Sequence, residues 1–398
     1  AALLTDEEIT LRNVPRIRDV EVMLDVIAAL GGRFEWVEDN VVKVQSGNID
    51  SVELDKELCR KVRASILFAG SMLARKGECK LPPPGGDVIG RRRLDTHFLA
   101  LEALGAKIDV SEKGFHFKAR NLRGDEIFMD EASVTATENA IMAATVAKGT
   151  TVIRNAACEP HVQGLCRMVA KMGARIQGIG TNILTIEGTK GLWGCDHTIG
   201  PDYLEIGSLA GLAAVTGSEL TIEGIVPDDL RMIRLAFNKL GVQTEIKKSS
   251  LYVPPNQELV IRDDLQNAIP KIDDAPWPAF PTDLMSIAIT VATQSRGTVL
   301  FFEKMFEGRM FFVDSLIAMG AKIVFCDPHR VVVVGPSQLY GSTLESPDVR
   351  AGMSLLIAAL CAQGTSTIYN IRQIDRGYEN IDVKLRALGA SIERLPVE

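Results

Sequence analysis

One pattern returns six times along the 398 residues: a turn, a short β-branched strand, an amphipathic helix, then Leu or Met, Gly, a small residue and another strand. The closing signal stands at Leu30-Gly31-Gly32, Leu104-Gly105-Ala106, Met172-Gly173-Ala174, Leu240-Gly241-Val242, Met319-Gly320-Ala321 and Leu388-Gly389-Ala390, with successive glycines 74, 68, 68, 79 and 69 residues apart. Spacing that regular marks an internal repeat, each copy a supersecondary unit that buries its apolar face against its neighbours. The opening strands match in turn: Gly149 to Asn155, Gly217 to Glu223, Gly297 to Glu303 and Gly364 to Asn370 each begin 23 to 25 residues before the glycine of their closing signal. That interval holds a strand, a loop and a helix of about three turns. Ile9 to Asn13 opens the first copy, and Cys79 to Leu81 opens the second. Apolar residues three and four apart, as in Val22, Leu24, Ile27, Leu30 and again Val313, Leu316, Ile317, give the helices one buried face.

Six αβ units group as three plus three about the turn-forming Gly200-Pro201-Asp202. This predicts an α/β chain of two similar domains, 1–200 and 201–398, with a cleft between them as the default ligand site. A composition of 46% hydrophobic and 24% charged residues gives no case for disorder. The longest apolar runs, Leu209 to Val215 and Leu355 to Ala362, fall short of the ~18 residues of a membrane span, and no signal peptide opens the chain. Seven scattered cysteines without a C-x-x-C pair predict reduced thiols, a cytoplasmic setting and no zinc site. A net charge of -7 argues against generic nucleic-acid binding, so any anion site must be local. The apolar tetrad Ala1 to Leu4 running into Thr5-Asp6-Glu7-Glu8 has the look of a helix end, which predicts an N-terminally incomplete chain.

The second copy is stretched by an insertion, Pro82 to His97 (P-P-P-G-G-D-V-I-G-R-R-R-L-D-T-H). Its prolines and glycines forbid a regular helix or central strand, so a surface loop feeds a helix near Leu94. Arg91, Arg92 and Arg93 point to an anion, since a guanidinium fork matches phosphate or carboxylate; a solvated basic turn is the competing reading. Arg63, Arg309, Arg350 and Arg376 recur at loop and helix starts. Arg350 follows Asp348 and Arg376 follows Asp375, so a local salt bridge competes with a ligand role for both. In Ala275 to Leu284 (A-P-W-P-A-F-P-T-D-L) three prolines fix a loop ahead of a helix over Leu284 to Thr293. Asp283 there is either a first-turn acid or a positioned general base. Ser133, Val134 and Thr135 open another helix, offering hydroxyls and amides to a phosphate, while Thr135 to Glu138 fits a capping box equally well. The sequence contains no metal-ligand constellation and no dinucleotide fingerprint.

The sixfold repeat together with P-G-G-D-V-I-G-R-R-R-L-D-T-H, P-A-F-P-T-D, F-E-G-R, S-P-D-V-R-A and I-D-R-G-Y-E resembles the enolpyruvyl transferase family, in its UDP-N-acetylglucosamine 1-carboxyvinyltransferase branch, over essentially the whole chain. The resemblance implies two inside-out α/β barrel domains of threefold pseudo-symmetry and no cofactor. It also implies transfer of the enolpyruvyl group of phosphoenolpyruvate to the 3'-hydroxyl of UDP-N-acetylglucosamine, the first committed step of peptidoglycan synthesis. Carried over by motif, Asp283 deprotonates that hydroxyl, and Arg92, Arg376, Arg63 and Arg350 neutralise the phosphate and carboxylate of phosphoenolpyruvate. Arg93, Leu94, Asp95, His97 and Ser133 to Thr135 line the uridine-diphosphate side with Phe306 beside them, and Asp348 orients substrates or loop.

Two departures stand out. Asp87 replaces the Cys that most members place to protonate C3 of phosphoenolpyruvate or to assist product release. At pH 7 an ordinary thiol is mostly protonated, whereas an ordinary aspartic acid is so about one part in a thousand, a difference of roughly 4 kcal/mol that bound substrates must supply. A carboxylate is also a poorer target for epoxides than a thiolate, which predicts fosfomycin resistance. The family's G-A-K-N-A segment, whose Lys contacts phosphoenolpyruvate, lies upstream of Ala1, and Tyr203 stands where Arg is common. These departures leave two competing readings, a transferase with another hydroxyl acceptor and a silent nucleotide-sugar-binding paralogue. Oligomeric state is not legible.

Overall fold

Five of the six repeats resolve into a strand, an amphipathic helix and an antiparallel hairpin, and in the sixth no strand follows the helix Ile381–Ala387 among the described residues. In the first, Ile9–Arg12 is followed by the helix Arg18–Ala29 and by Arg33–Glu38 and Val41–Gln45, with the last strand lying between the other two. The fifth repeats this with Gly297–Phe302, Val313–Ala318, Lys322–Asp327 and Arg330–Gly335. In those five the strand after the closing signal is thus the outer arm of a hairpin. The chain is a computed structural model and describes every residue except Val88, Arg91, Val397 and Glu398. Arg91 of the arginine run therefore lies outside the described residues.

The helix ends the same way six times, five of them ahead of a hairpin. The glycine of the closing signal has φ of 99° at Gly31, 94° at Gly105, 108° at Gly173, 90° at Gly241, 109° at Gly320 and 99° at Gly389. A left-handed residue there ends the helix and redirects the chain into the hairpin, and glycine has no Cβ to oppose it.

A second kind of helix is buried nearly all round and rich in small residues. Val134–Ala144, Met285–Gln294 and Val349–Cys361 each pack most of their side chains inside. Each connects two strands that pair in parallel: Glu126–Phe128 with Thr150–Arg154, Lys271–Asp273 with Gly297–Phe302, and Thr343–Glu345 with Thr367–Tyr369. Such crossovers place helix N-termini beside the carboxyl ends of parallel strands, where α/β proteins collect ligand-binding groups.

The residues just past these paired strand ends follow a rule with one exception. Asn13, Asn155 and Asn370 adopt φ of 57°, 57° and 55°. Their Nδ2 groups donate to the carbonyls of Ile199 (3.0 Å), Met129 (2.9 Å) and Ser346 (2.9 Å), each on the neighbouring strand end. Asparagine tolerates the left-handed region and supplies the donor that stitches the two ends together. Beyond Phe302 and Asp273 the same two places hold Glu303 and Asp274, both fully buried.

By its internal contacts the chain divides into Ala1–Asp87 with Arg92–Gly200, and Val88–Arg91 with Pro201–Glu398. The loop expected to lie wholly within 1–200 is split: Ile89 and Gly90 group with the second unit, where Gly308 N–H donates to Ile89 O at 3.0 Å. Each unit has its own apolar core. Ile141, Ile153, Leu184 and Phe117 are fully buried in the first, and Phe237, Leu284, Phe301 and Tyr378 in the second. Among the described residues no helix is long and apolar enough to cross a membrane.

Candidate active site

In the first unit the inserted loop is anchored at its base. Gly85 N–H donates to Cys59 O at 3.0 Å, and a Cβ on Gly85 would fall 1.7 Å from Arg60 O, so only glycine fits. Gly86, at φ 109°, lies against Arg63 Cβ. Across the loop, Arg63 Nη2 donates to the carbonyls of Arg92 (2.7 Å) and Arg93 (3.4 Å). Burial and then the charge of Arg92 bring the Arg63 guanidinium down to about 10, so it remains a cation at neutral pH. Arg93 forks onto Asp95, which opens the helix Asp95–Ala103. Leu94 caps that helix, its side chain buried and its carbonyl accepting from Phe98.

His97, one turn into the same helix, is buried between two others. Asn139 on the Val134 helix fixes its tautomer: Asn139 Oδ1 accepts Gly70 N–H at 2.8 Å, so Nδ2 is a donor, to Ile66 O at 2.9 Å and to His97 Nδ1 at 2.9 Å. The proton of a neutral His97 is therefore on Nε2, which faces Thr135 Oγ1 at 3.2 Å. Burial, and next the charge of Arg63, hold His97 down to about 3. Thr135 accepts from His97 and keeps its own hydroxyl proton to give away. The capping-box alternative for Thr135 is corrected here: the helix starts at Val134 with Ser133 as its cap, and the Ser133 side chain makes no capping bond. Thr135 is inside the first turn, where its hydroxyl goes to the histidine.

The second unit gathers charge. Asp283 lies in the short 3-10 turn Thr282–Leu284 that leads into the Met285 helix, after a loop closed by Ala275 N–H to Phe280 O at 3.2 Å. Arg309 Nη2 donates to Asp283 Oδ1 at 2.6 Å, and Arg350 Nε is 3.6 Å from Oδ2. The Arg309 side chain is 5% exposed and Asp283 35% exposed, so the cation is sunk and the carboxylate reaches outward. Burial pulls the Arg309 guanidinium down, and the charges of Asp283, Asp348 and Glu303 more than reverse it. Arg350 also lies 5.3 Å from the centre of the Tyr378 ring, and the Tyr378 hydroxyl meets Ser208 at 2.8 Å. Arg309 Nε and Arg350 Nη1 are buried and have no hydrogen-bond partner among the described residues. The cluster is thus one carboxylate held by two guanidiniums, a layout suited to proton abstraction beside a developing anion.

The amino-acid sequence aligns with the family model for EPSP synthase (3-phosphoshikimate 1-carboxyvinyltransferase) over residues 1–385. The chain belongs to the enolpyruvyl transferase family. It is 59% identical over 393 residues to UDP-N-acetylglucosamine 1-carboxyvinyltransferase of Treponema denticola, covering 99% of this chain and 92% of that protein. The protein of the same name from Bradyrhizobium diazoefficiens is 56% identical over 396 residues, covering 100% and 92%, and that of Bacteroides thetaiotaomicron is 48% identical over 404, covering 99% and 93%. In fold, the enolpyruvyl transferase NikO from Streptomyces tendae superposes with a TM-score of 0.85 at 20% identity over 98% of this chain and 91% of its own. EPSP synthase from Acinetobacter baumannii gives 0.73 at 16% identity over 98% and 92%. The two-domain inside-out α/β barrel is the fold of this enolpyruvyl transferase.

Within the enolpyruvyl transferase the local salt bridges weighed for Arg350 and Arg376 do not form as sequence neighbours suggest. Asp348 caps the Val349 helix, accepting from the backbone N–H of Arg350 (2.8 Å) and Ala351 (3.0 Å), which leaves the Arg350 guanidinium for Asp283. Asp375 takes a fork from Arg394 at 2.8 and 2.9 Å, and Arg376 Nη1 donates to Gln373 at 3.1 Å. Phe306 stands in the second unit, its ring 5.3 Å from the Arg309 guanidinium. Asp87 lies on the first-unit arm of the loop, next to the Gly86 contact with Arg63. Asn139 and Tyr378, which orient His97 and Arg350, were not singled out by sequence. Arg309 was visible as one of several recurring arginines and as the end of the F-E-G-R motif, with no role assigned to it.

Proposed function

We propose that this enolpyruvyl transferase uses phosphoenolpyruvate as donor and the 3'-hydroxyl of UDP-N-acetylglucosamine as acceptor, releasing phosphate, in the first committed step of peptidoglycan synthesis, and that it acts in the cytoplasm. The Asp283 carboxylate held by Arg309 and Arg350 carries the reading, with the near-full-length identity to proteins of that name as support.

In the proposed mechanism Asp283 takes the hydroxyl proton as the oxygen attacks C2 of phosphoenolpyruvate. C3 gains a proton from the acid at position 87, giving a tetrahedral ketal that still bears phosphate. Loss of a C3 proton then re-forms the double bond as the C2–O bond to phosphate breaks. Arg63, Arg92, Arg350 and Arg376 are assigned to the donor's anionic groups, whose charge grows through the intermediate. Ser133, Val134 and Thr135, with Arg93, Leu94, Asp95 and His97, are assigned to the acceptor, Phe306 to its edge, and Asp348 to holding Arg350 at the start of its helix.

Phosphate release from phosphoenolpyruvate tests the reading. Release that depends on UDP-N-acetylglucosamine supports it. Release with a different hydroxyl acceptor, or nucleotide-sugar binding with no release, overturns it. The Asp87 assignment has its own test: Asp87→Asn is expected to lose turnover, and unchanged kcat removes the acid role. The same carboxylate leads us to propose fosfomycin resistance, which covalent labelling of the loop at stoichiometric inhibitor would sink.

A further inference from the structure

We propose that Glu303 and Asp274 share a single proton and that this protonated pair is the positioning device for Asp283, holding the 3-10 turn that carries the base against the strand end at Phe302, from which the chain runs on to Arg309. The inference rests on the enolpyruvyl transferase reading for the word base, and on geometry for the rest.

The two residues emerge side by side from the paired ends of Lys271–Asp273 and Gly297–Phe302. Neither has any exposure to solvent. Asp274 Oδ1 accepts Lys304 N–H at 2.6 Å. Glu303 Oε1 accepts the N–H groups of Met305 and Phe306, both at 3.0 Å, and Oε2 accepts the Thr282 hydroxyl at 2.8 Å. Asp274 Oδ2 is buried with no hydrogen-bond partner among the described residues, and the parallel register of Asp273 with Phe302 brings the two acids out beside each other. Two neighbouring carboxyl groups buried away from water do not both ionise readily, and a buried acceptor oxygen needs a donor. One shared proton satisfies both requirements.

The surroundings agree. Burial, then the hydrogen bond and charge of Asp274, push Glu303 up to about 8. The other charged or titratable groups facing the pair are Arg309, which opposes that rise, His329, whose Nδ1 is 2.7 Å from Glu303 O, and Lys304, which pairs outward with Asp273. The titration belongs to the pair and not to either acid. The repeat supplies the contrast: at the matching strand ends a neutral asparagine, at Asn13, Asn155 or Asn370, makes a fixed bond to its neighbour. The exception is the copy whose crossover helix follows Thr282–Asp283, and there the fixed amide is exchanged for an acid pair that holds only while protonated.

Because Glu303 is raised, the pair is intact below about 8 and is lost as pH climbs through that value. The test combines pH profiles with a substrate-independent titration. In wild type, kcat is expected to be about tenfold below its plateau one pH unit above the transition, with KM shifting less than twofold. In Asp274→Asn the amide donates to Glu303 permanently, so that alkaline limb should disappear while neutral-pH turnover persists. Asp274→Ala, which cannot donate, should lower kcat at every pH. Carboxyl carbon NMR of the substrate-free wild-type protein should show one protonated acid at pH 7, titrating near 8 and absent from Asp274→Asn. Two ionised carboxyls at pH 7, or an alkaline limb unmoved in Asp274→Asn, overturns the proposal. If the protein proves not to transfer enolpyruvyl groups, the NMR titration still decides whether the proton is shared.

Discussion

Around His97 in the first unit the partners are an amide and a hydroxyl, and the imidazole is held neutral. Around Asp283 in the second they are two guanidiniums, each with a buried N–H to spare. Both clusters sit at the N-termini of buried crossover helices, so the same scaffold position has been given opposite electrostatics. A neutral network fixes direction: every donor and acceptor is assigned, and nothing in it changes charge near neutrality. An ionic cluster responds to charge that moves, as chemistry at an ionising hydroxyl requires.

The sharpest break of this contrast is Asp283→Asn, which keeps the shape and removes the charge; kcat should fall about 10²- to 10⁴-fold with little change in KM. Stability comes next. Arg309→Ala removes a buried side chain and one of the two cations holding Asp283, and should cost about 1 to 3 kcal/mol in denaturant unfolding, the remaining carboxylate being part-exposed and still beside Arg350. Arg175, an exposed partner of Glu187, should cost under about 1 kcal/mol when changed to Ala. A milder effect is expected at the neutral cluster. Thr135→Val should raise the KM for the nucleotide sugar roughly five- to tenfold, the worth of one neutral hydrogen bond, and leave kcat nearly as it was. A fall in kcat matching that of Asp283→Asn would erase the distinction between the clusters. A separate effect, read as a slope against pH, is expected in acid. His97 is depressed to about 3 from an ordinary 6.5, so below that ordinary value the unfolded chain takes up a proton that the native state refuses. Unfolding free energy should therefore decline from about pH 6.5 towards 3, and His97→Gln should show a shallower slope over that window.

The repeat and its closing glycines were legible because they depend on local rules: a helix must end, and glycine ends it. Asp283 and the loop arginines were picked out through motif resemblance, as candidates. What stayed hidden was pairing across sequence distance. Glu303 ends a strand in the same way as Asn155 and Asn370, and only the parallel register with Lys271–Asp273 brings it to Asp274. Asp348 beside Arg350 looks like a salt bridge in sequence, yet a helix N-cap turns its carboxylate to backbone N–H groups and sends the guanidinium elsewhere. Asn139 was hidden for the opposite reason, since a polar residue inside a helix carries no sign of which neighbour it will orient.

The six closing glycines also make the molecule its own calibration standard for backbone torsion. A Cβ at Gly389 would meet nothing within 4 Å, whereas at Gly241 it would lie 2.3 Å from Val260 N. Both have nearly the same φ, 99° and 90°. Gly389→Ala should then report the left-handed penalty alone, about 1 kcal/mol. The excess measured for Gly241→Ala is what collision adds to it, so one chain separates two costs that single-site studies normally leave summed.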